Sequence, residues 1–177
     1  MSEQHLTLTL LQQADLLGRE RYVELSLAEL LGSAASQAED PAMVVLLNGL
    51  GQAHRYRAHL IEAEIPVSVG LPHTEEVTVA PSPAHERHLV DLAALAPLAL
   101  AAVVIGEWYP AMFLSYQTHQ AICSEAGDPP IVRLLDRLLD DLGRIRGAPS
   151  VAEWNGDTAD ASEEIASLGG PFGTLMN

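Results

Sequence analysis

The chain has 177 residues and a formal net charge of −15, with 48% hydrophobic and only 5% aromatic residues. That balance lacks the basic footprint nucleic acids require and is repelled by anionic membrane surfaces, so neither is an expected partner. The length suits one domain with a full core, and a core of Leu, Ala and Val suits packed helices better than a sandwich.

All nine cations are Arg, which excludes a lysine nucleophile or Schiff base. Cys123 is the sole cysteine, so no disulfide forms within the chain. A reducing, cytoplasmic location is the expectation. The first twenty residues lack a basic stretch and a small-residue cleavage site, and are not read as a signal peptide.

In chain order, a first helix is expected over 8–37, with Leu17, Leu27 and Leu31 recurring at helical steps. Asp40-Pro41 is a helix start, since Asp caps and Pro takes the first helical position. The second helix runs to about residue 65 and stops before Pro66. Residues 66–83 hold Pro66, Gly70, Pro72, Pro81 and Pro83 and read as a crossover, with a short extended piece over 77–80. A third helix spans 84–126, broken or kinked at Pro97, Gly106 and Pro110. Its apolar run from Leu92 to Gly106 has 15 residues, too few to cross a membrane, and is read as a buried central helix. Asp128-Pro129 starts the fourth, which runs to Arg146 on a stripe of Ile131, Leu134, Leu135, Leu138, Leu142 and Ile145. Residues 1–146 form a bundle; 147–177 form an extension with a short helix over 162–168, pinned by Trp154 and Phe172 or partly flexible.

Between Leu92 and Ser124 the one formal charge is Glu107. A carboxylate buried there must be paired, hydrogen-bonded, metal-bound or protonated. The third helix projects as the stripe Leu100, Val104, Glu107, Ala111 and Leu114; the second as Met43, Leu47, Leu50, His54, Arg57, Ile61 and Glu64. Glu20 and Glu24 lie on possible inward stripes of the first helix, and Asp141 lies at the edge of the fourth. Antiparallel packing would bring Glu20 or Glu24, His54, Arg57, Glu107 and Asp141 to one depth, where helix bundles build metal and cofactor sites. The halves echo each other: Glu20 precedes His54 by 34 residues, and Glu107 precedes Asp141 by the same interval.

Two helix pairs, a long crossover, a Glu in each of the first and third helices and the two Asp-Pro starts resemble the ferritin-like, rubrerythrin-like superfamily. The segment SQAEDPAMVVLLNGLGQAHRYRAHLIEAEIP is similar to its second helix and preceding turn. The resemblance covers about residues 8–146 and implies a four-helix bundle with a di-metal site. Glu20 or Glu24, His54, Glu107 and Asp141 would be its ligands, holding Fe or Mn, and an enzyme built on it would be a metal-dependent oxidoreductase. The family's Glu-x-x-His signature is absent, however, and Arg57 opposes a metal with a fixed cation.

Three readings stay open: a degenerate site in which Arg57, alone or with Arg144, replaces the metal's charge and pairs with Glu107 and with Glu24 or Glu20 in a structural or interaction module; a remodelled metal site in which the carboxylates and His54 hold Fe, Mn or Zn; and a small-ligand pocket with Arg57 as anion clamp, lined by Trp108 and Tyr109. The aromatic cluster from Trp108 to Tyr116 and the mean hydropathy of +0.13 favour a homo-oligomer, most simply a dimer. His85 and His88 are expected at an exposed helix start, and Cys123 as a buried inert thiol. His119, four residues before Cys123 on one helical face, keeps a nucleophilic alternative open.

Overall fold

The computed structural model describes residues 8–124 and 127–146; the expected extension over 147–177, with Trp154 and Phe172, lies outside them. Every regular element among the described residues is helical, as the composition predicts. In order these are α1 (Leu10–Gln37), α2 (Pro41–Glu64), α3 (Thr74–Val77), α4 (Pro83–Ala93), α5 (Pro97–Val103), a π turn (Val104–Trp108), α6 (Tyr109–Ile122) and α7 (Pro129–Arg146).

Capping explains where the long helices begin. Thr9 and Gln12 form a reciprocal capping box on α1, with Gln12 N–H donating to Thr9 Oγ1 at 3.2 Å and Thr9 N–H donating to Gln12 Oε1 at 2.9 Å. Asp40 Oδ1 accepts from Ala42 N–H at 3.1 Å while Pro41 opens α2. Only residues 38–40 separate α1 from α2, so the two pair antiparallel: Gly51 approaches Ala28, His54 and Arg57 meet Glu24, and Arg21 reaches Glu62 at 3.2 Å.

The crossover contains one helical turn, α3, where an extended piece was expected slightly later. His73 N–H donates to Glu76 Oε2 at 3.0 Å and helps close that turn. It lies hard against α1: a Cβ on Gly18 would stand 2.2 Å from the Val77 carbonyl oxygen. The third predicted helix divides in two. α4 ends at Ala93, and a continuous helix then runs from Pro97 to Ile122 through the π turn.

This helix is long and apolar enough to cross a membrane by length and composition, although half of its most apolar window is buried within the fold. It runs antiparallel to α1, since Glu24 meets Tyr116 and Glu20 meets His119. α7 packs on α6 and α2 through Ile131, Leu134, Leu135, Leu138 and Leu142, and its polar face reaches back through Arg137 to the Tyr56 hydroxyl.

The π turn sets which face of the central helix is buried. Tyr109 N–H bonds to the Val104 carbonyl, five residues back instead of four. Pro110 follows at once and has no N–H to offer the Gly106 carbonyl, a site where an α-helix is disfavoured anyway. The widened turn moves the inward stripe along by one to two residues. Leu100 and Val104 are buried as expected, but Trp108, Met112 and Tyr116 then replace Glu107, Ala111 and Leu114. Leu114 is 63% exposed.

Candidate functional site

The centre of the bundle holds a closed polar cluster contributed by α1, α2 and α6. Glu24 of α1 is 0% exposed, as are His54 and Tyr109, and Arg57 is 1% exposed. Arg57 Nε donates to Glu24 Oε1 at 2.7 Å, and the Tyr116 hydroxyl donates to the same oxygen at 2.6 Å. His54 Nδ1 lies 2.5 Å from the other oxygen, Oε2, and Tyr109 Oη lies 3.3 Å from His54 Nε2. The Arg57 guanidinium also stands 5.9 Å from the Tyr109 ring centroid.

The charges in the cluster follow from burial and pairing. Burial alone would raise the Glu24 pKa, but Arg57 and His54 outweigh it through charge and hydrogen bonds and hold the carboxyl down at about 2. Arg57 is the reverse case: burial disfavours its charge, and Glu24 more than restores it. Burial lowers the His54 pKa despite Glu24, so the imidazole is neutral. A ring nitrogen 2.5 Å from a carboxylate oxygen must carry the proton, which assigns the Nδ1–H tautomer. Nε2 is then the acceptor, and the Tyr109 hydroxyl donates to it. Arg57 Nη2, 2.9 Å from Nδ1, is in packing contact there and not a donor to it. The cluster is therefore one carboxylate, one guanidinium, a neutral imidazole and two phenols, with no net charge. Burial raises both phenol pKa values, Tyr109 to about 12, so both hydroxyls keep their protons.

One turn along α1, Glu20 forms a second, separate ion pair. Its Oε1 lies 2.9 Å from His119 Nδ1 on α6. Burial opposes the charge on His119, but Glu20 and the neighbouring Cys123 thiol outweigh it and raise the pKa to about 10. Gln13, two turns earlier on the same face of α1, points its amide nitrogen at Cys123 Sγ, 3.8 Å away.

The structure brings together Glu24, His54, Arg57 and Tyr109 among the expected site residues, and places Glu20 beside them with a different partner. It does not bring Glu107 or Asp141 to the cluster. Glu107 is half-buried on the opposite side of the π turn, where burial raises its pKa and His88 partly offsets the effect. The expectation of a core-facing Glu107 fails because the stripe assumed an unbroken α-helical period. Asp141 is at the rim of α7, 3.7 Å from Arg144. Trp108 is fully buried but faces His88, with ring centroids 6.1 Å apart. His85, expected on an exposed helix start, is buried beneath it: Ser82 caps α4 and its hydroxyl lies 2.9 Å from His85 Nδ1. Cys123 is half-buried, not buried.

Tyr116 was missed as a site residue although it supplies one of the shortest bonds to Glu24. Its signal in the sequence is the spacing Tyr109, Tyr116, His119, one face of a regular helix, which lines up with the inward Leu100 and Val104 only through the π turn.

The donor set does not fit a di-metal centre. Both Glu24 oxygens are already engaged by Arg57, Tyr116 and His54, and a guanidinium cannot ligate a metal. No group of three or more His, Cys, Asp or Glu side chains among the described residues is arranged to hold a metal ion. Comparison with protein-family models, curated proteins and solved structures finds no match.

Proposed function

We propose that this chain is a divergent ferritin-like bundle in which Arg57 supplies, from within the protein, the positive charge that a bound metal supplies in that superfamily. It acts as a metal-free helical interaction module that self-associates, most simply as a homodimer. The reading rests on one observation above all: Arg57, 1% exposed, places Nε 2.7 Å from the buried Glu24 carboxylate. A fixed cation there neutralises the fully buried Glu24 carboxylate between α1 and α2. It also repels any divalent ion that would approach the same oxygens.

A small-ligand pocket with Arg57 as anion clamp is less well supported, because the guanidinium faces its own carboxylate. Iron or manganese oxidoreductase chemistry is no part of the proposal, since Glu107 and Asp141, two of the acids required for it, lie away from Glu24. Self-association gains support from the large apolar side chains left outside, Leu98, Val90 and Leu114 among them.

Elemental analysis of the untagged protein, before and after anaerobic incubation with Fe(II) and with Mn(II), tests the proposal. The expected result is no stoichiometric metal under either condition. One or two ions per chain, lost on Glu24→Ala, would overturn it.

A further inference from the structure

A second group of side chains, one turn from the Glu24 cluster, converges on the sole cysteine. Cys123 caps the C-terminal end of α6 and is half-buried. His119, one turn earlier on the same helix, is 3% exposed and is held by Glu20 through Nδ1 at 2.9 Å. Its other ring nitrogen, Nε2, is buried and makes no hydrogen bond of good geometry, although the Cys123 thiol is near enough to help raise the ring's pKa; Glu20 Oε2 is buried without a partner. From α1, the Gln13 amide, 2% exposed, points its N–H at the sulfur from 3.8 Å. A nucleophile, an adjacent imidazole and a carboxylate orienting that imidazole are the parts of an activated thiol site. His119 Nε2 is buried with capacity to hold an oxygen atom, whereas the Gln13 N–H already meets the sulfur. A buried N–H left without a partner costs stability, and an oxygen-bearing ligand would remove that cost.

We propose that Cys123 is a peroxide-reactive thiol, with His119 as its proton donor and Glu20 and Gln13 as positioning residues. The ligand class is a small hydroperoxide, because a half-buried cysteine beside a buried glutamine admits a small oxidant more readily than a polypeptide. The Cys123 thiol gives up its proton to solvent, the resulting thiolate sulfur attacks the distal peroxide oxygen, an S–O bond forms and the O–O bond breaks. Sulfur is oxidised by two electrons to the sulfenic acid, and the peroxide is reduced. The departing hydroxide or alkoxide takes the proton of His119 and leaves as water or alcohol. Glu20 holds the ring so that Nε2 is free for that transfer. The site is independent of the Glu24 cluster and of the metal-free reading above.

The test compares two electrophiles on the full-length protein. Hydrogen peroxide needs its leaving group protonated, whereas iodoacetamide releases iodide, which does not. Sulfenic acid is trapped with dimedone and both adducts are counted by intact mass. In the folded wild type, the peroxide rate relative to the iodoacetamide rate should exceed that of the urea-unfolded chain by about tenfold or more. His119→Asn, which keeps a polar side chain beside Glu20, should lower the peroxide rate about tenfold or more and change alkylation much less. Equal slowing of both reactions in His119→Asn would overturn the proposal. So would a folded wild type whose peroxide-to-alkylation ratio matches that of the unfolded chain, a comparison that needs no variant to fold.

Discussion

Glu24 is buried with each of its oxygens already occupied, and this makes single-residue changes around it unequal. Arg57→Leu removes the only cation bonded to it among the described residues and leaves a carboxylate in the core. The expected loss is about 3–5 kcal/mol, read by urea unfolding monitored by circular dichroism. Tyr116→Phe removes one neutral donor and leaves the charge balance intact, so about 1–3 kcal/mol is expected from the same measurement. Glu107→Gln should fall within about 0.5 kcal/mol of wild type, because that side chain is half-exposed and its pKa is raised, not lowered, by its surroundings. A large loss there would mean that Glu107 has a partner in the core.

At the scale of elements, the crossover is fixed by a close approach that the sequence does not announce. Gly18 sits mid-helix in α1, where Ala would ordinarily be favoured. Its missing Cβ is what lets the α3 backbone lie against the helix, so Gly18→Ala should destabilise by about 1–3 kcal/mol in a denaturant melt. Helices α1, α2 and α7 are legible in the sequence because their caps are spelled out, as Asp40-Pro41 shows, and because their apolar periods stay regular. The α2 face bearing His54 and Arg57 is legible for the same reason. The central helix is not. Extending a 3.6-residue period through Gly106 and Pro110 puts Glu107 inward, whereas one i→i+5 bond puts Trp108, Tyr109 and Tyr116 there instead. A π turn leaves no pattern that hydrophobic spacing alone distinguishes from a kink, although the nearby proline marks where one could lie. The pairing of Glu24 with Arg57 across α1 and α2 was within reach of that spacing; the pairing of Glu20 with His119 depended on the shifted register.

For the whole molecule, the two buried polar groups act on opposite limbs of the pH–stability curve. Glu24 is depressed from 4.5 to about 2, so its contribution is complete above pH 4.5 and is lost as the pH falls towards 2. His54 and His85 are also depressed, from 6.5, so the folded state resists their protonation and stability begins to fall as the pH drops below 6.5. His119 is raised from 6.5 to about 10, so its contribution is complete below 6.5 and is lost as the pH rises towards 10. Melting temperatures across pH 3–10 should therefore peak near pH 6.5. His119→Asn should flatten the alkaline limb and leave the acid limb unchanged. An alkaline limb of unchanged slope in that variant would show that the Glu20–His119 pair does not carry it.

The central claim is that Arg57 belongs to the core as the charge partner of Glu24. The most direct test is a double-mutant cycle of Glu24→Leu and Arg57→Leu, followed by equilibrium unfolding in urea. If the two residues form one neutralised pair, Arg57→Leu alone costs about 3–5 kcal/mol. The double variant, which has lost both charges, should then be more stable than the sum of the two single losses by about 2 kcal/mol or more. Losses that add to within about 0.5 kcal/mol would contradict the account, because the two side chains would then be contributing independently.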